Sequence, residues 1–168
     1  MVNQGLCGSC WTHSITASIS INHAVATDKK PVALSRQQLM DYTPLGNEPG
    51  QLGTLNRACF GGDPSSGFDY IIHNGGIMKE NDYRYKMISS ETCRFDHTKP
   101  VVKVSKVQII TPGDEIALKA AVAKHGSVTV VATFNMFANT YTSNIYDNDN
   151  YLPVTNGHAA NNCWLRNR

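Results

Sequence analysis

No stretch of this 168-residue chain approaches the length of apolar run that crosses a bilayer, and Met1-Val2-Asn3 does not open a charged and then apolar signal segment. No membrane span or signal peptide is predicted. Basic runs are missing too: the formal net charge is +2, with Lys and Arg spread along the chain, so neither nucleic acid nor a membrane surface is an expected partner. Internal repeats and low-complexity tracts are absent, which removes repeat architectures from consideration. What remains is an ordinary globular composition, 41% hydrophobic, sufficient to core one domain or two small lobes sharing a cleft. The five cysteines are an odd number, so at least one is free or paired outside the chain.

The informative residues concentrate in Asn3-Gln4-Gly5-Leu6-Cys7-Gly8-Ser9-Cys10-Trp11, where a glycine-laced turn delivers Cys10 to the start of a predicted helix. A thiol at a helix N-terminus meets unpaired backbone N–H groups and the positive end of the helix dipole, both of which favour thiolate over thiol. Cys10 is therefore a candidate nucleophile. Cys7 and Cys10 also form a Cys-x-x-Cys, so a disulfide or thiol-disulfide exchange pair is the competing reading, although Trp11 and the preceding Asn-Gln-Gly are foreign to that motif.

From Cys10 to about Thr27 neither Pro nor Gly interrupts, and Trp11, Ile15, Ile19, Asn22 and Val25 recur at helical steps, predicting a buried central helix broken by Lys29-Lys30-Pro31. Ser35-Arg36-Gln37-Gln38 has the Ser-x-x-Gln form of a capping box, with Leu39-Met40 as the buried face of a second, short helix. Pro64 suits the first turn of a third, which runs through Phe68, Ile71 and Ile72 and stops at Asn74-Gly75-Gly76. Past Pro100 the second half reads as β-rich: Val102, Val104, Val107 and Ile109 alternate with Lys and Ser as in a half-buried strand. A short helix follows over Pro112 to His125, with Ile116, Ala120 and Ala123 on one face, and then Val128-Thr129-Val130-Val131-Ala132 reads as a buried strand. Residues 43 to 58 and Tyr141 to Tyr151 read as loops.

A thiol nucleophile needs a base that can also hold positive charge, which makes an imidazole the expected partner. The pattern Asn-Gln-Gly followed by Cys-Gly-Ser-Cys-Trp closely resembles the nucleophile segment of the papain family of cysteine peptidases, which includes papain and the cathepsins. Gly157-His158-Ala159 resembles the family's His-Ala step and follows Cys10 within the characteristic separation of roughly 130 to 150 residues. The resemblance covers nearly the whole chain. It implies an α+β, papain-like two-lobe fold forming one catalytic domain, with a helical N-terminal lobe over residues 1–100 and a β-rich lobe over 101–168 that carries His158. That second, antiparallel β lobe is expected to be incomplete beside the family's.

The same resemblance implies cysteine endopeptidase chemistry through an acyl-thioester on Cys10, with His158 as acid and base and Gln4 with the Cys10 N–H holding the oxyanion. Gly61, Gly62, Val131 and Ala159 match substrate-binding positions, and Cys7 matches the disulfide partner of Cys59. No metal and no organic cofactor is implied. Peptide or protein substrates, a propeptide and cystatin-like inhibitors are the implied partners of a monomer in a lysosomal or secreted setting. Asn167 is the candidate for the asparagine that orients the imidazole. A hairpin turn at Asn161-Asn162 would leave Asn167 diagonal to His158, whereas a turn at Asn162-Cys163 would set it directly opposite.

Several residues depart from the family pattern. His13 stands where an aromatic residue is usual and reads as core packing with a polar tip. Phe60, Asp63 and Ser65 are unusual beside the glycines, which leaves the side-chain preference of that pocket open. Tyr42 replaces the cysteine that would pair with Cys93, so a second bridge is not expected. The family's Asn-Ser-Trp-Gly segment is cut short after Trp164-Leu165-Arg166-Asn167. An alternative reading therefore stands beside the peptidase, namely a catalytically impaired homologue or fragment retaining at most a peptide-binding cleft.

Overall fold

The computed structural model describes residues 3–42, 58–90, 92–133 and 157–162. Its elements in chain order are α1 (Cys10–Thr27), α2 (Arg36–Tyr42), a 3-10 turn (Ala58–Phe60), α3 (Pro64–His73), α4 (Glu115–His125), β1 (Val128–Thr133) and β2 (Gly157–Asn162). The architecture is α+β. Helix α1 is central and touches the other three helices and both strands.

Trp11, Ile15 and Ile19 give α1 its buried stripe, and they pack with Leu34, Leu39, Tyr70, Ile71, Ile77, Val102 and Ala159 in one core cluster. The rest of the helix is rich in Ser and Thr, several of them buried. Thr12, Ser14 and Thr16 return their hydroxyls to carbonyls one turn back, at 2.8–3.0 Å, which satisfies them without needing water. Small side chains let neighbours come close: a Cβ on Gly67 of α3 would lie 2.4 Å from Ile15 Cδ1. The predicted stripe fails at its end, because Val25 is 56% exposed. Asn22 instead ties α1 to the chain before β1, donating from Nδ2 to Ser127 O and accepting from Ser127 N at Oδ1.

The capping box at α2 is half formed. Ser35 Oγ accepts from the Gln38 N–H at 3.0 Å, but the Gln38 side chain does not return to Ser35. It is buried, donates to Tyr70 Oη and Gly76 O, and accepts from the Met78 N–H, while the Ser35 N–H goes to Met78 O. Tertiary partners outbid the local one because a buried amide needs all its bonds made. Asp63 caps α3 by accepting from the Ser66 N–H at 3.0 Å, and Pro64 opens the helix as expected.

Three expectations for the second half are corrected. Residues 102–109 form no strand; the pairing is a single antiparallel bridge between Ile77 and Val102, and Ile109 is 80% exposed. Helix α4 begins at Glu115 and buries Val122, while Ile116, Ala120 and Ala123 are exposed; the chain meets α1 at its C-cap, where Gly126 approaches Ile21 and Val25. Residues Asn161 and Asn162 are strand rather than turn. They pair with Thr129 and Val128 in an antiparallel ladder that continues through Val131 with Ala159 and Ala132 with His158.

Candidate active site

Cys10 is the first residue of α1, half-buried, with its thiol free and packed against the core cluster. The turn before it and the first turn of α1 are fixed to the 3-10 turn by three links. Cys7 is disulfide-bonded to Cys59, the Gly8 N–H donates to Cys59 O at 2.7 Å, and Trp11 Nε1 donates to Ala58 O at 3.2 Å. Because Cys7 is committed to Cys59, the exchange pair with Cys10 is not formed. Cys93 is a free, half-buried thiol whose pKa burial pushes up, and Tyr42, in place of its expected mate, stacks on Tyr70 at 4.0 Å between centroids.

His158 lies on β2 opposite Ala132. The side-chain ties between the sheet and α1 set its direction. Thr129 Oγ1 and Asn161 Nδ2 both donate to Ser14 O, at 3.3 and 2.9 Å, whereas Ser127, earlier on the same segment as Thr129, meets Ser18 and Asn22 further down the helix. β1 thus runs toward the N-terminus of α1, and β2, antiparallel to it, runs away. Going back from Asn161 to His158 is a step of roughly 10 Å along β2 toward the end of α1 that carries Cys10. Cys10 lies about 6 Å up the helix axis from Ser14. The strand end that carries His158 and the helix end that carries Cys10 therefore lie in the same direction from Ser14.

Beside them lies an open cleft of about 330 Å³ lined by Phe60, Gly61, Gly62, Asp63, Pro64, Val131 and Gly157. Gly61, Gly62 and Val131 line it. Val131 is 60% exposed because it faces this cleft, which corrects the expectation of a fully buried strand. Ala159 does not line the cleft and is buried in the core cluster at 7% exposure. Gly157 stands against Val131, where a Cβ would lie 2.6 Å from Val131 Cγ1 and the valine side chain would have to shift. Among the described residues of the lining, Asp63 supplies an acidic group. Burial opposes its ionisation, but bonds from Ser65 and Ser66 outweigh that and hold its pKa below the usual carboxylate value.

Gln4 precedes the turn that leads to Cys10. Its carbonyl accepts from Tyr85 Oη at 3.0 Å, and the following Gly5, at φ +67°, has its N–H bonded to Asn3 Oδ1 at 2.8 Å. Asn167 lies outside the described residues. His13 is half-buried, its Nδ1 bonded to Ser9 O at 2.9 Å and its ring edge-on to Tyr85 at 5.0 Å.

The profile described as "Papain family cysteine protease" matches residues 1–162. The chain belongs to the papain family. Among curated relatives it is 41% identical to mouse Pro-cathepsin H over 127 residues, covering 76% of this chain and 35% of that protein. It is 39% identical to Cysteine proteinase 2 of Dictyostelium discoideum over 160 residues, covering 94% of this chain and 40% of that one. The structure superposes on a digestive procathepsin L 3 from Tenebrio molitor larval midgut with a TM-score of 0.81 at 29% identity, over 95% of this chain and 49% of that one. The chain therefore spans roughly a third to a half of these relatives' lengths. Sequence reasoning missed Tyr85, which meets the Gln4 carbonyl and the Ser9 hydroxyl from far along the chain and belongs to no short motif.

Proposed function

We propose that this papain-family chain carries the nucleophile side of a cysteine endopeptidase site, hydrolysing peptide bonds through an acyl-thioester on Cys10. The reading is supported by the free thiol of Cys10 at the start of α1, by His158 on a strand running away from that same helix end, and by the glycine-lined cleft. Cys10 Sγ attacks the scissile carbonyl, and Gln4 with the Cys10 N–H stabilises the oxyanion. His158 gives its proton to the leaving amine, then takes one from the water that releases the acyl group. An extended peptide would lie against Gly61 and Gly62, whose lack of side chains leaves their backbone open to it, with Val131 and Asp63 meeting a substrate side chain. Ala159 supports that wall from the core. We further read residues 1–100 and 101–168 as the two lobes of one catalytic domain.

A protein or peptide substrate, and a propeptide or a cystatin-like inhibitor that fills the same cleft, are the partners this reading names for a monomer. The Cys7–Cys59 bridge favours an oxidising setting, lysosomal or secreted. Iodoacetamide labelling at mildly acidic pH, mapped by peptide mass, tests the assignment of the nucleophile. Cys10 should label first, with Cys93 slower because burial raises its pKa. Labelling of Cys93 with Cys10 untouched would sink the reading, as would peptide turnover that survives Cys10→Ala.

A further inference from the structure

Ser9 sits at the N-cap of α1, where a serine ordinarily spends its hydroxyl on a backbone N–H of the first turn, yet it makes no such bond. Its Oγ is bonded instead to Tyr85 Oη, 76 positions away in sequence. The phenol has a single proton, and that proton is directed at Gln4 O at 3.0 Å, so the Ser9 hydroxyl must be the donor in the Ser9–Tyr85 bond. The chain of donors therefore runs from the residue beside the nucleophile, through Tyr85, to the backbone of Gln4.

Tyr85 is itself held from several directions. Its N–H donates to Glu80 Oε1 at 2.9 Å, Arg36 lies over its ring at 5.1 Å and pairs with Glu80 at 2.8 Å, and His13 meets its ring edge-on. Among the described residues the Gln4 segment is also supported by the Asn3–Gly5 turn and by the packing of Gly5 near Met87 Sδ, where a Cβ would come to 2.8 Å.

We infer that Tyr85 is a positioning residue, one that sets where the Gln4 amide stands relative to Cys10 by bonding Gln4's own carbonyl and the hydroxyl of Ser9 at once. The inference rests on the oxyanion role proposed for Gln4 and adds the device that aims it. A donor set off its target loses much of its worth, since stabilisation of an oxyanion depends on placement within a fraction of an ångström.

Two reagents separate aiming from general integrity. Acetyl-leucyl-glycinal, a peptide aldehyde, adds Cys10 Sγ to its carbonyl carbon. The C=O π pair moves onto oxygen and the thiol proton ends on that oxygen, giving a hemithioacetal whose oxygen occupies the oxyanion position. Iodoacetamide alkylates the same sulfur by displacing iodide and forms no oxyanion. Neither reaction requires turnover. Tyr85→Phe, which removes one oxygen, should weaken aldehyde binding about tenfold and leave the alkylation rate within about twofold. Ser9→Ala should shift the same ratio in the same direction by less. In a Gln4→Ala background, Tyr85→Phe should add nothing, because the group it aims is gone.

An unchanged ratio in both single variants would overturn the inference. So would a parallel fall in both reactions, which would mark a merely structural role, or fully additive losses in the double variant. A wild-type Cys10 that reacts with neither reagent would defeat the peptidase reading before any variant is compared, and this inference with it.

Discussion

Gly8 has no room for a side chain. A Cβ there would lie 2.7 Å from Cys59 O and 3.4 Å from Gly61 N, both backbone atoms that cannot swing aside. Gly8→Ala is expected to destabilise the fold by about 1–3 kcal/mol, the usual cost of overpacking, read as a lower urea midpoint at unchanged slope. His13 offers a second test. Burial lowers its pKa from 6.5, helped by Arg36 and opposed by its bond to Ser9 and by Glu80. Below the ordinary histidine value the unfolded chain binds a proton that the folded chain resists, so stability falls as the pH drops through that window. Urea midpoints measured between pH 7.5 and 5 should decline for the wild type and flatten in that range for His13→Phe. A wild-type profile that rises on acidification would contradict the environment described. Among individual residues, Cys10, Gln4 and His158 stand out in the sequence because their neighbours form a recognisable pattern. The link from Ser9 through Tyr85 to Gln4 does not, since it spans 76 and 81 positions and leaves no local periodicity.

At the scale of elements, α1 and α3 obey their local signals. The uninterrupted run from Cys10 to Thr27 and the Asp63-Pro64 start are both where the sequence puts them. Helix α4 forms as predicted but turns another face inward, and its substitutions should show it. Val122→Ala is expected to cost roughly 1.5 kcal/mol, at about 0.8 kcal/mol for each buried CH2 group removed. Ile116→Gln, at a side chain 85% exposed, should change stability by less than about 0.5 kcal/mol. Reversal of that order in urea melts would show that the buried face had been misassigned. The segment Asn161-Asn162 went the other way. Its composition favours a turn, but pairing with Thr129 and Val128, together with the bond from Asn161 to Ser14 O, gives the backbone and the amide more partners as strand.

Across the whole molecule the Cys7–Cys59 bridge joins the turn before Cys10 to the 3-10 turn over a sequence separation of 52. Closing a loop of that length in the unfolded chain is worth about 4 kcal/mol by the chain-entropy relation. The Cys7→Ser, Cys59→Ser double variant should therefore lose stability of that order in urea unfolding. Unchanged midpoints would mean that the bonds from Gly8 to Cys59 O and from Trp11 to Ala58 O hold the two segments without it.

The sequence by itself determined the family, the α+β class and the helix that presents Cys10, and it singled out Gln4 and His158 as candidates, because each depends on neighbours a few positions away or on a short motif. Tertiary structure alone decided which residues after Pro100 became strand, which face of α4 was buried, where the side chain of Gln38 spent its bonds, and that β2 runs away from the end of α1 that bears the thiol. Those outcomes depend on competition among distant partners for buried surface and hydrogen bonds, and a buried polar group takes whichever complete set of partners the packed chain offers it.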